Sequence, residues 1–85
     1  MFYFYLLKSL KDKDLYSGYT DNLDQRFKDH NADRVVSTKN RRPLILIYYE
    51  AYKSEKDARN RERQIKRRAG ALISLKRRLK NSLKD

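Results

Sequence analysis

LYSGYTDNLDQRFKDH, residues 15–30, changes character halfway along, and that change decides the fold. LYSGY follows the polar turn KDKD (11–14) and reads as a strand. Thr20 or Asp21 then offers an N-cap oxygen, Asp24 puts a favourable charge in the first turn, and Leu23 with Phe27 forms an i, i+4 apolar pair. The helix so begun runs to about His30 and sets Arg26 and His30 one turn apart.

Upstream, FYFYLLKS (2–9) is aromatic and aliphatic without polar interruption, as a strand covered on both faces would be, and it forms a β-hairpin with LYSGY. Downstream, NADRVVSTKNRRP (31–43) is polar, basic and closed by the one proline, so a surface loop is expected. LILIYYEAY (44–52) is the strongest strand pattern and is expected at the centre of the sheet. Ser54 with Asp57 resembles a capping box opening a helix through about Arg68, which Gly70 breaks. Leu72, Leu75, Leu79 and Leu83 line one stripe of a last, otherwise basic helix. A membrane-surface role for that stripe is less favoured than covering a small core. The order β-β-α-β-α-α calls for an α+β fold, a small mixed or antiparallel sheet with helices packed over it.

The 85 residues are expected to form one domain. Without cysteine there is no disulfide framework, zinc-thiolate site or thiol nucleophile, and a single His limits metal chemistry further. No apolar run approaches a membrane span and MFYFYLL lacks a basic leader, so a soluble, cytoplasmic protein without a membrane partner is expected. Residues 1–52 hold nine basic and seven acidic side chains (net +2), and residues 53–85 hold thirteen and four (net +9). Charge of that density points to a polyanion, nucleic acid above all.

Glu62 is the informative carboxylate. On a helical wheel Ala58, Glu62, Ile65 and Ala69 fall within an arc of about 60°, which puts the carboxylate in the buried stripe. A glutamate there needs either a salt bridge, to Arg59, Arg61 or Arg63, or a cation; one carboxylate with waters and substrate phosphate suffices for Mg²⁺. His30 falls about 20° and Arg26 about 60° from Leu23, both bordering the face that meets the sheet. Singly, His30 reads as a satisfied core histidine and Arg26 as a surface ion pair. A hairpin can bring Tyr5 and Tyr16 near one site, and Gly18 allows either a bend or the close approach of a ligand backbone.

Taken together, YFY at 3–5, YSG at 16–18, Arg26 with His30, and Glu62 within RERQIK resemble the ordered signature of the GIY-YIG nuclease superfamily. With RRPLILIYYE ahead of the glutamate helix, the pattern is similar to its small stand-alone bacterial branch, related to the N-terminal nuclease domain of the excision-repair nuclease subunit. Tyr3 and Phe4 replace the Gly and Ile of the first motif, and Ser17 the Ile of the second. The resemblance implies a three-stranded antiparallel sheet flanked by helices and phosphodiester hydrolysis with one divalent ion, Mg²⁺ or Mn²⁺, bound by Glu62. Arg26 would neutralise charge on the phosphate, and Tyr5 or Tyr16 would position or deprotonate the attacking water, the other orienting water or phosphate with His30. A phenol of ordinary pKa, about 10, needs a cationic setting to act so. Asn81 is the candidate for an asparagine that some members use late in the site.

The expected function is thus a metal-dependent DNA endonuclease, structure-dependent or weakly specific, in repair or recombination, with RNA as the alternative substrate and a monomer as the default state. Gly18, Tyr19, Lys39, Arg41, Arg42, Arg63, Lys66 and Arg67 are the expected nucleic-acid contacts, phosphate contacts giving affinity without sequence choice. The alternatives are a non-catalytic binding module and a protein-interaction module whose last helix docks a partner.

Overall fold

The computed structural model describes residues 1–32 and 34–84. The strands are β1 (Phe2–Ser9), β2 (Leu15–Thr20) and β3 (Leu44–Tyr52), and the helices α1 (Leu23–Asn31), α2 (Glu55–Arg67) and α3 (Ala69–Arg78). Their order is the expected β-β-α-β-α-α, in one antiparallel sheet of strand order β2-β1-β3. The centre therefore belongs to β1, not to LILIYYEAY. The reason lies in burial: Phe4, Leu6 and Leu7 of β1 are fully buried, whereas β3 buries only Leu44 and leaves Tyr49 half exposed. High β-propensity marks a strand without saying how many neighbours it has.

Alternate residues of β1 feed two cores. Phe4 and Leu6 face Ile65 of α2 and Leu75 of α3, with Leu72 and Leu79 packed alongside. Tyr5 and Leu7 face the other way, with Leu44, Leu23 and Phe27. Each fully buried apolar side chain contributes about 1.5–3 kcal/mol. The leucine stripe of the last helix covers the sheet, as its packing against Phe4 and Leu6 shows. Among the described residues no helix is long and apolar enough to cross a membrane.

Local signals place the helices with four corrections. The N-cap of α1 is Asn22, whose side chain accepts from Gln25 N at 3.1 Å, rather than Thr20 or Asp21; Thr20 Oγ1 instead accepts from Asn22 N. Ser54 does cap α2, but its hydroxyl makes no cap bond, so that end is favoured by the charges of Glu55 and Asp57. The break between α2 and α3 falls at Arg68, in extended conformation, and Gly70 lies inside α3. Leu83 lies beyond α3, where its carbonyl accepts from Lys8 Nζ at 2.7 Å.

Two tight connections position the ends of the sheet. In the β1–β2 turn, Ser9 Oγ accepts from the backbone N–H groups of Lys11 and Asp12, and Asp12 Oδ1 accepts from Asp14 N. After α1, Asn31 clamps the start of β3 with both ends of its amide, Nδ2 to Leu44 O at 3.0 Å and Leu44 N to Oδ1 at 2.8 Å. That clamp aligns the loop from residue 34 to 43 against the C-terminus of α1.

Candidate active site

Tyr5 pairs with Gly18 across the β1–β2 ladder, and the hydroxyl end of its ring covers the glycine: a methyl group there would sit 2.6 Å from Tyr5 Cζ. The absent side chain on β2 is thus what lets the phenol reach α1. At its tip Tyr5 OH lies 2.9 Å from His30 Nε2 and accepts from Arg26 Nε at 3.3 Å. The imidazole meets the phenol ring edge-on, with centroids 5.6 Å apart. These three groups, from a strand and two turns of one helix, form one polar cluster.

The helical spacing that brings Arg26 and His30 to the sheet is legible in the sequence, but His30's second partner is not. Nδ1 lies 2.8 Å from Thr38 Oγ1, in the loop after α1, and Thr38 is fully buried. Burial, then the Arg26 charge, pull the His30 pKa down to about 4 against the opposing pull of Asp29, so the imidazole is neutral near pH 7. Burial pushes the Tyr5 phenol up, Arg26 pulls it down by hydrogen bond and charge, and Glu62 adds to the rise.

Tyr16 shares the Tyr5 face of the sheet but goes to a different partner. Its OH donates to Asp12 Oδ2 at 3.1 Å, and Arg41 Nε pairs with the same oxygen at 3.2 Å. Burial and the Asp12 carboxylate both raise the Tyr16 pKa. Asp12, in the turn KDKD, carried no signal beyond polarity.

Glu62 lies on α2, and its place differs from the wheel. Ala58 and Ile65 are buried, while the Glu62 side chain is 24 % exposed and is paired with Lys66 Nζ at 3.3 Å. None of the three neighbouring arginines holds it: Arg59 pairs with Glu55 and lies over the Tyr19 ring, Arg61 reaches Glu50, and Arg63 donates to Asn60. Among the described residues there is no group of three His, Cys, Asp or Glu placed to hold a metal.

Two depressions flank Gly18 along β2. One, about 390 Å³, has Tyr16, Ser17, His30, Thr38 and Lys66 in its wall; the other is lined by Tyr19, Thr20, Asp21, Arg26 and Glu55. Walls drawn from both α1 and α2 mean that the trough straddles the edge of the sheet. Lys39, Arg41 and Arg42 are exposed on the adjoining loop, where Arg42 Nε donates to Lys39 O at 3.0 Å. Arg63 and Arg67 line a separate groove on α2 with Arg61 and Arg68, and Asn81 is exposed in the tail, in the wall of neither depression.

Comparison with known proteins bears on the family and the fold. The family model described as the GIY-YIG catalytic domain matches residues 1–80. A UPF0213 protein of Staphylococcus haemolyticus is 45 % identical over 65 residues, 75 % of this chain and 78 % of that one. Another, from Pediococcus pentosaceus, is 46 % identical over 68 residues, 79 % of this chain and 70 % of its own. The solution NMR structure of a UPF0213 protein from Bacillus halodurans superposes with a TM-score of 0.51 at 34 % identity, covering 89 % of this chain and 86 % of that chain. The three-stranded sheet, the helix order and these matches lead to one assignment: the chain belongs to the GIY-YIG nuclease superfamily, in the small bacterial branch of its UPF0213 relatives.

Proposed function

We propose that the protein is a divalent-metal-dependent endonuclease that hydrolyses DNA phosphodiesters with weak sequence choice, acting on branched or otherwise irregular DNA in repair or recombination. The observation that carries this reading is the Tyr5–Arg26–His30 cluster laid over Gly18, in a chain of a nuclease superfamily. A cytoplasmic setting goes with it and accords with a cysteine-free chain.

Tyr5 is buried and Tyr16 is the phenol that lines the trough, but by its hydrogen-bond partners Tyr5 is the better suited of the two to take a proton from attacking water. Its oxygen already accepts from a guanidinium, which favours the oxygen as it gains electron density, and a neutral imidazole beside it can receive the phenolic proton. Tyr16 is committed as a donor to Asp12, and its role is to line the trough where the phosphate lies. Arg26, in the neighbouring depression, carries a fixed charge for the phosphate oxygens as they become more negative.

The donor chemistry at Glu62 fits a hard cation. The carboxylate is 24 % exposed and lines neither depression itself, but its one ion-pair partner, the exposed Lys66 ammonium in the trough wall, is a weak one that a metal can replace. Mg²⁺ or Mn²⁺ needs oxygen ligands and tolerates one protein carboxylate with waters and substrate phosphate. Bound there, the ion supplies Lewis-acid stabilisation of the departing 3′ oxygen. Gly18 makes room for the phenol at the edge of the nucleic-acid surface, and Tyr19, Lys39, Arg41, Arg42, Arg63, Lys66 and Arg67 contact the nucleic-acid backbone through charge and ring faces.

Supercoiled plasmid and flapped DNA incubated with Mg²⁺, Mn²⁺ or EDTA test the proposal. Nicking is expected with either metal, none with EDTA, and a loss of at least about 100-fold in Glu62→Ala while DNA binding and fold persist. Binding of the same DNA by both proteins, without cleavage under any condition, would make the chain a non-catalytic binding module.

A further inference from the structure

The buried hydroxyl of Thr38 lies outside the family motifs quoted above, yet it makes the second contact of the one histidine. Its partners allow the hydrogens of the cluster to be counted. Among the described residues Tyr5 O has two hydrogen-bond partners, Arg26 Nε and His30 Nε2. Arg26 can only donate, so the phenol's own proton has one acceptor, the Nε2 lone pair. The proton of the neutral imidazole then belongs on Nδ1, and Thr38 Oγ1 must accept it. The threonine's own proton points to Val35 O, 3.5 Å away. The opposite tautomer would leave the buried phenolic proton with no acceptor among these groups, an arrangement that a folded protein avoids.

We propose that Thr38 is a positioning residue that fixes His30 as the Nδ1–H tautomer, so that Nε2 is free to take the Tyr5 proton. The inference rests on the nuclease reading for its catalytic consequence, though not for its structural one. As Tyr5 O gains a proton from water, its original O–H bond breaks and an Nε2–H bond forms; the imidazolium then donates from both nitrogens, to Tyr5 and Thr38. The proton passes back to solvent after the product leaves, so the cluster is restored with no net change.

The loop is built to hold this contact. Val35 and Thr38 are its two buried residues, Arg41 N donates to Thr38 O at 2.9 Å, and Ser9 Oγ bonds Arg41 O across the β1 end. Thr38 is thus anchored on both sides of a stretch whose other residues are exposed.

The test combines nitrogen NMR of ¹⁵N-histidine-labelled protein with nicking kinetics for wild type, Thr38→Ser and Thr38→Val. The single His makes the spectrum unambiguous. A protonated Nδ1 and a lone-pair Nε2 are expected in wild type and the Ser variant. The Val variant is expected to lose that pattern and to turn over about tenfold more slowly or worse, at unchanged DNA affinity. Protonation of Nε2 in wild type, or an unaltered spectrum in Thr38→Val, overturns the proposal; if Val does not fold, wild type and Ser decide it. Absence of nicking by wild type would remove the nuclease reading, while the spectrum alone would still uphold or reject the tautomer.

Discussion

Two clusters of tyrosine and arginine sit on opposite faces of the sheet, and they treat the phenol in opposite ways. On the α2 face Glu50 accepts from Tyr48 OH at 2.6 Å, from Tyr52 OH, and from Arg61 Nε at 3.0 and 3.2 Å. Burial works against that carboxylate, but the three donors outweigh it and lower its pKa, while burial and the carboxylate push Tyr52 up to about 12. On the α1 face no carboxylate among the described residues bonds Tyr5; the arginine points at the phenol oxygen itself and the acceptor is a neutral ring nitrogen. A phenol donating to an anion keeps its proton. A phenol between a guanidinium and a lone pair has somewhere to send it.

The largest effect should separate the two phenols by activity. Tyr5→Phe is expected to lower plasmid nicking by at least about 100-fold with an unchanged circular dichroism spectrum, whereas Tyr52→Phe should stay within about twofold of wild type. Equal activity in both variants would erase the distinction. Stability should separate the clusters the other way. Glu50→Ala leaves Arg61 and two phenols without their acceptor, in a site where the carboxylate is 18 % exposed. A loss of about 3 kcal/mol is expected in urea unfolding, with nicking per folded molecule unaltered. A neutral Glu50→Ala would mean that the cluster is held by packing alone.

The contacts legible in the sequence are those carried by a period. Strand alternation puts Tyr5 opposite the face of Phe4 and Leu6, and the i, i+4 spacing on α1 brings Arg26 and His30 to the same side. Contacts that depend on the path of irregular chain leave no such trace. Thr38 meets His30 because Asn31 clamps Leu44 and folds the loop back, and Asp12 meets Tyr16 because of one tight turn. Glu62 is an intermediate case. The wheel sets it beside Ala58 and Ile65, which are buried, but at the edge of that stripe the long side chain keeps 24 % exposure and pairs with Lys66, and Ala69 belongs to the next helix, past the bend at Arg68. The misplacement of β3 has a different source, since residue type reports strand formation and only packing reports which strand is central.

The smallest effect is a pH dependence that distinguishes the clusters without any activity. His30 has a folded pKa of about 4 against about 6.5 when exposed, so the folded state favours its neutral form. Its contribution is complete above about pH 6.5, declines as the unfolded chain takes up a proton that the folded protein refuses, and is gone below about pH 4. By pH 5 the loss is about 2 kcal/mol. Glu50, with a lowered pKa, fails in the same direction but in a lower window, beginning only where an unfolded carboxylate is protonated, below about pH 4.5. Urea midpoints of wild type and His30→Gln at pH 7, 6 and 5 separate the two, because the variant should be flat over that range while wild type falls. A parallel decline in both proteins would assign the acid sensitivity to carboxylates instead, and would mean that the imidazole between Tyr5 and Thr38 accepts a proton in the folded state almost as readily as in water.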